Sequence, residues 1–306
     1  MTAQAAQFST LTVDEPERLA RWEEWNRLSL IALSCHTPDG QTMRGEEVNL
    51  CLADLKVARV RAARHRVSRN AETVSAAPAD SIAVYIALRG KTRFADRTSS
   101  GSIVAGEALM TDADLAFERE FPSGFAELAL EVPRALYLER FGRTGRSVSD
   151  IRRVAGRVAL RVQVISRYID VVASRPARDF DAATLQLVAL DLLNDLTGGA
   201  APGDRLALAR LVVEQSIGDP TMSATKIGQL LGISDRQLSR MFADSGTSFP
   251  SFVTARRLER ATTLLTQSSP LPIGDVAAAC GFSSASYFCR VFHDQVGMTP
   301  QQWRDR

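Results

Sequence analysis

One short pattern occurs twice in the last hundred residues, and this repeat decides the C-terminal fold. The first copy contains Leu231-Gly-Ile-Ser234 followed by Arg240-Met-Phe242. The second contains Cys280-Gly-Phe-Ser283 followed by Arg290-Val-Phe292. The offset between the copies is 49 residues up to the turn and 50 in the helix that follows, so the second copy has one additional residue.

Each copy fits a helix-turn-helix unit. In the first, Ser223 is a suitable cap for a helix ending at Leu231, and Gly232 supplies the turn because glycine tolerates a positive φ. Ser234 then begins a second helix, and Gln237 three residues later completes the pattern of a capping box. The residues of the first helix expected to face inward are Ile227, Leu230 and Leu231.

The second copy repeats this order. Gly281 lies at its turn, Ser283 is the expected cap, and Phe288 and Phe292 are expected on the inward face of its recognition helix. Between the copies, residues 251–266 predict one helix of roughly 24 Å. A stiff spacer of that length can hold two recognition helices about one duplex turn, ~34 Å, apart. The repeat therefore predicts contact with two successive stretches of one DNA duplex.

Over residues 204–306 the sequence resembles the AraC/XylS family of transcriptional regulators. The matching motifs are Arg257-Leu-x-x-Ala261, Ile273-x-x-Val-Ala277, Gly281-Phe-Ser283, Tyr287-Phe-x-Arg-Val-Phe292 and Pro300-x-x-Trp-Arg304. The resemblance implies two helix-turn-helix subdomains whose groove contacts lie within residues 235–240 and 284–290. It also implies promoter DNA and RNA polymerase as partners, and it favours activation over repression.

The candidate DNA contacts lie near the start of each recognition helix. They are Ser234, Asp235, Arg236, Gln237 and Arg240 in the first unit, and Ser283, Ser284, Ala285, Tyr287 and Arg290 in the second. Arg236 and Gln237 are favoured for base edges, whereas Arg240 and Arg290 fit a salt bridge at the edge of the core equally well. Asp235 suits the positive end of its helix dipole.

Charge supports this placement only weakly. The net charge is +2, and residues from Asp204 onward carry 11 Lys and Arg against 9 Asp and Glu, so the whole excess lies in the C-terminal third. Three of these 11 cations, Arg256, Arg257 and Arg260, are candidate phosphate contacts, and they fit a solvated or ion-paired helix face equally well.

The N-terminal half has a different pattern. Residues 45–140 contain short apolar runs, such as 81–88 and 125–132, that are bounded by turn residues and predict antiparallel strands. This region resembles the AraC-binding-like domain, a cupin-like barrel, through Arg59-Val-Arg61, His65-Arg-Val67, Leu88-Arg-Gly90, Gly106 and Leu130-Glu-Val-Pro-Arg-Ala-Leu136. The predicted class is α+β: a cupin-like antiparallel β-barrel with flanking helices, then an all-α domain of two helix-turn-helix subdomains joined by a linker helix.

These patterns predict five segments. They are an N-terminal extension with a helix (1–44), the effector or regulatory barrel (45–140), a helical segment (141–197), a Gly-Gly-Ala-Ala-Pro-Gly linker (198–203) and the DNA-binding domain (204–306). In the helical segment, apolar residues recur at helical spacing over 151–172 and 185–196. This stripe fits packing against the barrel and a dimer seam equally well.

Signatures of catalysis and metal binding are missing from the sequence. The three histidines, His36, His65 and His293, form no ligand set, the four cysteines have no CxxC spacing, and phosphate-loop, dinucleotide and serine-hydrolase motifs do not occur. We therefore expect no catalytic residue, metal or cofactor. With neither a signal peptide nor a membrane span in the pattern, we expect a cytoplasmic protein that does not bind membranes.

The functional hypothesis is a dimeric, sequence-specific DNA-binding regulator controlled by a small organic effector in the N-terminal domain. The effector site is not identified by sequence. One of Arg59, Arg61, Arg64, Arg66 and Arg69 could pair with a ligand carboxylate, although a solvated strand face fits each of them better. The alternatives are an effector-independent regulator controlled by a partner protein or by its abundance, and, with less support, a cupin-type enzyme with a DNA-binding tail.

Overall fold

The structure, a computed structural model, describes residues 4–141, 149–174, 180–198, 204–267 and 271–306. The chain divides into two compact units, Met1–Gly203 and Asp204–Arg306. Of the predicted linker, only Gly198 is among the described residues. Within the described ranges, no helix is long and apolar enough to cross a lipid bilayer.

The first unit is built on antiparallel strands. They are β1 (Gln4–Ser9), β2 (Ser34–His36), β3 (Gly45–Cys51), β4 (Lys56–Ala62), β5 (His65–Arg69), β6 (Ser81–Arg89), β7 (Lys91–Asp96), β8 (Ser100–Val104), β9 (Glu107–Asp112), β10 (Phe117–Phe121), β11 (Phe125–Pro133) and β12 (Asp150–Arg153). One sheet has the order β1-β3-β4-β11-β6-β9-β12, and the other has the order β2-β5-β10-β7-β8.

The two sheets share one apolar core. Val60, Tyr85 and Ala129 contribute to it from the seven-stranded sheet, and Phe94 and Phe121 contribute from the five-stranded sheet. Successive side chains of a strand point to opposite faces, so each strand gives alternate residues to this core. The sheets therefore face each other as two layers of a flattened, barrel-like body.

A helix near the N-terminus closes one side of this core. It is α1 (Arg18–Ser29), and its Trp22 is almost completely buried. The indole lies against Gly45 of β3, where an added Cβ would be 2.9 Å from the ring. The predicted helix in the N-terminal extension is therefore present, and a glycine makes room for its largest side chain.

Strands also occur outside the range 45–140. β1 pairs with β3, β2 pairs with β5, and β12 pairs with β9. The last pairing corrects one expectation, because Ile151 lies on β12 and not on the long helix that its spacing suggested. Its partner strand is some forty residues away, and a local period does not reveal such a pairing.

The apolar stripe of the helical segment is buried within the first unit. It lies on α4 (Arg157–Ser174) and α5 (Ala182–Leu196), which pack together, and α4 also packs on β1 and β3. Arg161 of α4 and Asp195 of α5 form an ion pair between the helices, and both side chains are buried. Of the two open interpretations of the stripe, packing within its own unit is the one that the structure supports. Two short helices, α2 (Ala71–Ala76) and α3 (Arg134–Phe141), complete the unit.

Helices are the regular elements of the second unit among its described residues. Its helices are α6 (Arg205–Gln215), α7 (Ala224–Leu231), α8 (Asp235–Asp244), α9 (Phe249–Leu265), α10 (Ile273–Ala279), α11 (Ala285–Val296) and α12 (Pro300–Arg304). α9 is the predicted linker helix, with Ser248 as its cap. The α+β class, with a β-rich first half and a helical second half, is confirmed.

Candidate DNA-binding surface

Two glycines shape the turn of the first helix-turn-helix unit. α7 ends at Gly232, whose φ of +65° is one that residues with side chains rarely adopt. Within α7, an added Cβ on Gly228 would lie 2.7 Å from the carbonyl oxygen of Ile233. The chain can therefore fold back closely on α7 before α8 begins.

α8 begins with the predicted capping box. Ser234 Oγ accepts a hydrogen bond from the Gln237 N–H at 3.2 Å, and Gln237 Oε1 accepts one from the Ser234 N–H at 3.0 Å. The Asp235 carboxylate accepts a hydrogen bond from the Arg236 N–H at 2.8 Å, in keeping with its expected place at the positive end of the dipole. These side chains thus fix the start of the helix.

The two faces of α8 differ sharply. Leu238 and Phe242 are buried, whereas the candidate contacts from Ser234 to Gln237 and Arg240 are all exposed. Arg240 is 83% exposed and lies 3.8 Å from Asp244, so its ion pair is a surface one and contributes little stability. Of the two roles left open for Arg240, a salt bridge at the edge of the core does not fit this position.

The first helix of the unit departs from one expectation. Ile227 is buried, but Leu230 is 56% exposed, so the prediction that Leu230 faces inward is wrong. α7 has only eight residues, and its buried side consists of Ile227 and Gly228. A helix of two turns can bury a narrow stripe only, and Leu230 lies outside it.

The second unit has a similar turn with one difference. Gly281 has a φ of +79°, and an added Cβ would lie 2.4 Å from the carbonyl oxygen of Ile217. The cap of α11 is Ser284, whose Oγ accepts a hydrogen bond from the Tyr287 N–H at 3.2 Å, and not Ser283 as predicted. The additional residue of the second copy lies between the turn and the helix, and it moves the cap by one position.

α11 buries an aromatic face and exposes a polar one. Phe288 and Phe292 are buried, while Ser283, Ser284 and Ala285 are exposed. Tyr287 is 44% exposed, and the Arg290 guanidinium lies 5.5 Å from the centre of its ring. Arg290 is exposed as well, so the predicted contacts of this helix share one accessible face.

The three arginines of α9 have different surroundings. Arg256 forms ion pairs with Glu214 of α6 and Glu259 of α9, and the Glu214 side chain is buried. Arg257 donates to the carbonyl oxygens of Ile217 at 3.2 Å and Asp219 at 2.8 Å. Two of the three candidate phosphate contacts therefore hold the unit together.

Arg257 also reaches the second turn. Its guanidinium lies 5.8 Å from the centre of the Phe282 ring, and burial lowers the pKa of Arg257 below its usual value. Asp219 opposes this shift by its charge. Arg260 is exposed, and of the three it has the most open access to a phosphate.

The interior of the first unit contains a polar group that the sequence reasoning missed. Arg119 and Glu127 are both buried and form a two-pronged ion pair, with Nη1 to Oε1 at 3.1 Å. The guanidinium lies 3.7 Å from the centre of the Tyr85 ring. The alternation Phe117-Glu-Arg-Glu-Phe121 could have shown this, because it places Arg119 on the same face as two phenylalanines.

Two of the five arginines within residues 59–69 are buried and bind other groups of the first unit. Arg59 is buried and forms an ion pair with Asp170 of α4. Arg69 is buried too, and it donates to the carbonyl oxygens of Ala113 at 2.6 Å and Ala32 at 2.9 Å. The arginines that remain exposed are Arg61, Arg64 and Arg66. Within the described part of the chain, no group of three or more side chains could hold a metal ion.

Comparison with known proteins places this surface in a family. Residues 227–306 match the family model described as "Helix-turn-helix domain". The transcriptional activator NphR of Rhodococcus sp is 23% identical over 82% of this chain and 78% of its own length. The transcriptional activator RhrA of Rhizobium meliloti (strain 1021) is 31% identical over 39% of this chain and 38% of its own length. The crystal structure of the AraC-like transcriptional activator CuxR aligns with a TM-score of 0.51 and 16% identity, over 90% of this chain and all of CuxR.

The C-terminal unit is an AraC-type helix-turn-helix domain. The chain that carries this domain is a DNA-binding transcriptional regulator. The relatives and the structural neighbour are transcription regulators and not enzymes. The likeness to CuxR extends through the β-rich unit, so it bears on the fold of both halves.

Proposed function

We propose that this protein is a sequence-specific activator of transcription, with a DNA-reading surface on α8 and α11 and an effector site in its N-terminal unit. The observation that carries the DNA-reading part is the pair of capped recognition helices. Each packs its apolar side into its own subdomain and leaves its polar N-terminal half exposed. An α-helix fits the major groove of B-DNA, and its first turns reach the base edges.

The roles of the contacts follow from their chemistry. Arg236, on the first turn of α8, suits bidentate recognition of guanine, and Gln237 can offer its amide N–H to a base while its oxygen holds the cap. On α11, Ala285 can contact a thymine methyl group. Arg240, Arg290, Ser283 and Tyr287 are the proposed phosphate or base contacts, and we assign Ser234, Asp235 and Ser284 to orienting the helix starts. Arg260 is the favoured phosphate contact of α9.

A small cavity in the first unit supports the effector site. The cavity is about 30 Å³ in volume, and its lining combines aromatic residues such as Trp22 and Phe121 with the Arg119–Glu127 pair. Apolar walls with a few convergent polar groups are typical of ligand sites. Because the space holds only a water molecule or two, a ligand must displace some of the lining side chains as it enters.

We infer a cytoplasmic protein that contacts RNA polymerase when bound to a promoter, because its relatives are transcriptional activators. We also propose a homodimer, and this part is based on the family resemblance only. The apolar stripe on α4 and α5 does not support it, because that stripe is already buried within one unit. Sedimentation of the full-length protein measures the dimer directly.

Capture of genomic fragments by the purified full-length protein tests the DNA-reading part. A small set of fragments that share two half-sites about one helical turn apart supports the proposal. Binding without a shared motif, lost uniformly as salt is raised, contradicts it because phosphate contacts alone produce that pattern. Repeating the capture with small organic compounds tests control by an effector, and insensitivity to all of them favours an effector-independent regulator.

A further inference from the structure

Among the described residues of the first unit, Glu47 is a buried carboxylate that forms no ion pair. Glu47 of β3 is completely buried, and neither of its oxygens accepts a hydrogen bond from the described residues. The Asn49 amide and the Trp25 indole lie near enough to lower its pKa somewhat, yet neither reaches normal hydrogen-bonding geometry. Leaving a buried carboxylate without a partner is costly, so this side chain needs an explanation.

Glu47 lies on the same inner face of the sheet as two residues that line the cavity, Val60 and Glu127. In the sheet register, Glu47 lies opposite Val60, and Val60 lies opposite Glu127. Directly opposed residues of antiparallel strands point to the same face, so these three side chains form one row on the inner face, with the two carboxylates about 10 Å apart. Val60 and Glu127 line the cavity, and so does Trp22, which packs on Gly45 two residues before Glu47.

The other titratable groups in this region do not balance Glu47. Arg119 is already neutralised by its two-pronged pair with Glu127. Burial lowers the pKa of His65 to about 4, and it raises the pKa of Cys35 and the pKa of Tyr85 to about 12, so all three are uncharged near neutral pH. Arg69 is paired with Asp114. The row therefore has an excess negative charge whenever Glu47 is ionised.

Aromatic rings line the cavity and the region beside Glu47. The Phe8 ring stacks on Trp25 at 5.2 Å and lies 6.3 Å from Trp22. Across the cavity, Phe121 and Phe125 stack at 3.7 Å. Carboxylates combined with aromatic faces attract organic cations, through charge and through the negative face of each ring.

We propose that the interior of the first unit binds a small aromatic cation, whose charge is balanced by Glu47 and whose ring packs against the aromatic wall. This inference rests on the proposed function, since it assigns a chemical class to the effector. The segment between α1 and β2 lines the cavity with Leu30, Ile31 and Leu33, so displacement of this segment enlarges the site. A carboxylate-bearing ligand is disfavoured, because it would add a second unbalanced negative charge.

Three probes with the same ring separate the charge types: benzylammonium, benzyl alcohol and benzoate. Binding to the full-length protein at pH 8 is followed by titration calorimetry and by tryptophan fluorescence, because two of the three tryptophans lie at the site. We expect benzylammonium to bind at least about tenfold more tightly than the other two probes. Equal binding, tighter binding of benzoate, or no detectable binding of benzylammonium overturns the inference.

A matched pair of variants assigns the preference to Glu47. Glu47→Gln removes the charge and is expected to abolish the preference for the cation, while Glu46→Gln changes an exposed neighbour that pairs with Arg61 and is expected to keep it. If Glu47→Gln retains the preference and folds normally by circular dichroism, Glu47 is not the site and the inference fails.

DNA affinity, measured separately on a captured fragment, distinguishes this inference from the proposed function. Cation binding that leaves DNA affinity unchanged supports the site and contradicts effector control. If the protein binds DNA specifically but shows no preference for the cation, the proposed regulatory function is supported and the assignment of an aromatic cation as ligand is overturned.

Discussion

Arg236 and Arg260 are proposed to make two different kinds of DNA contact, one with base edges and one with phosphates. Arg236 is exposed on the first turn of α8, where a side chain reaches base edges, and Arg260 is exposed on the linker helix. We expect Arg236→Ala to weaken binding to a captured site by about tenfold or more, and binding to random DNA far less, because one bidentate base contact is lost. Fluorescence anisotropy with labelled duplexes measures both affinities.

Arg260→Ala is the matched control for that experiment. It should weaken binding to both duplexes alike and reduce the slope of log affinity against log salt by about one. An equal loss on both duplexes for Arg236→Ala would show that Arg236 contacts phosphate only.

The adjacent serines of the second unit give a stability prediction. Ser284 caps α11, whereas Ser283 lies one residue before it. Ser284→Ala should lower the free energy of unfolding by about 1 kcal/mol because an N–H at the helix start loses its partner, and Ser283→Ala should change it by only a few tenths. Urea unfolding followed by helical circular dichroism tests this, and a larger effect at Ser283 would restore the cap that the sequence suggested.

Glu47 gives a pH dependence with a definite sign. Burial raises the pKa of Glu47 from the ordinary 4.5 to about 7, with Glu127 adding to the shift. The folded state therefore binds this proton more tightly than the unfolded state. The contribution of Glu47 to stability is most favourable below pH 4.5 and is lost as pH rises to about 7.

Glu47→Gln removes that dependence. Above pH 7 we expect the variant to be more stable than the natural sequence by roughly 3 kcal/mol or less, and near pH 4 we expect the two to be similar. The measurement is urea unfolding of the full-length protein at several pH values. A difference that stays constant between pH 4 and 8 contradicts the assignment.

Residue-level features were predictable where their cause is local. The Ser234–Gln237 capping box and the turn at Gly232 depend on residues within a few positions of each other, and the sequence predicted both. The cap at Ser284 was missed, although the change of offset from 49 to 50 already placed an additional residue before that helix. The roles of Arg256 and Arg257 depend on Glu214 and Ile217, some forty residues away, and no local pattern shows them.

At the scale of elements, α4 shows that the spacing of apolar residues can predict a helix without predicting which element the helix packs against. The apolar spacing predicted the helix, and the structure buries Val162 against the rest of the first unit. Val162→Asp should therefore lower the free energy of unfolding by about 3 kcal/mol or more, because an unpaired charge is buried.

Gln163→Asp is the control, since residue 163 is exposed on the same helix and should change stability by about 0.5 kcal/mol or less. Thermal unfolding and sedimentation together decide the outcome. A Val162→Asp variant that stays as stable as the natural sequence but sediments as a smaller species would instead support the interpretation of the stripe as a dimer contact.

Strands were less predictable than helices for a physical reason. β12 was mistaken for helix because Ile151 and Val154 are three residues apart, while its true partner is β9. β1 was overlooked in a polar segment, yet it pairs along its length with β3. Sheet pairing depends on contacts between distant residues, whereas a helix is specified by its own sequence.

At the scale of the whole molecule, the function of the second unit was predictable from sequence and the candidate ligand site of the first unit was not. The repeated motif, its capped helices and the family comparison agree on DNA binding by the second unit. The first unit has neither a repeat nor a catalytic motif, and its candidate site, around Glu47 and Glu127, became visible only when the strands brought them into one row. Sequence alone predicted the class of that unit and not its ligand site.

The central claim is that both recognition helices read DNA side by side, and chemical footprinting of a captured fragment tests it most directly. We predict that the full-length protein protects two major-groove segments about one helical turn apart. Arg236→Ala should lose protection of one segment, and the double variant Tyr287→Ala with Arg290→Ala should lose protection of the other. A single protected segment, or loss of the same segment in both variants, would contradict the account.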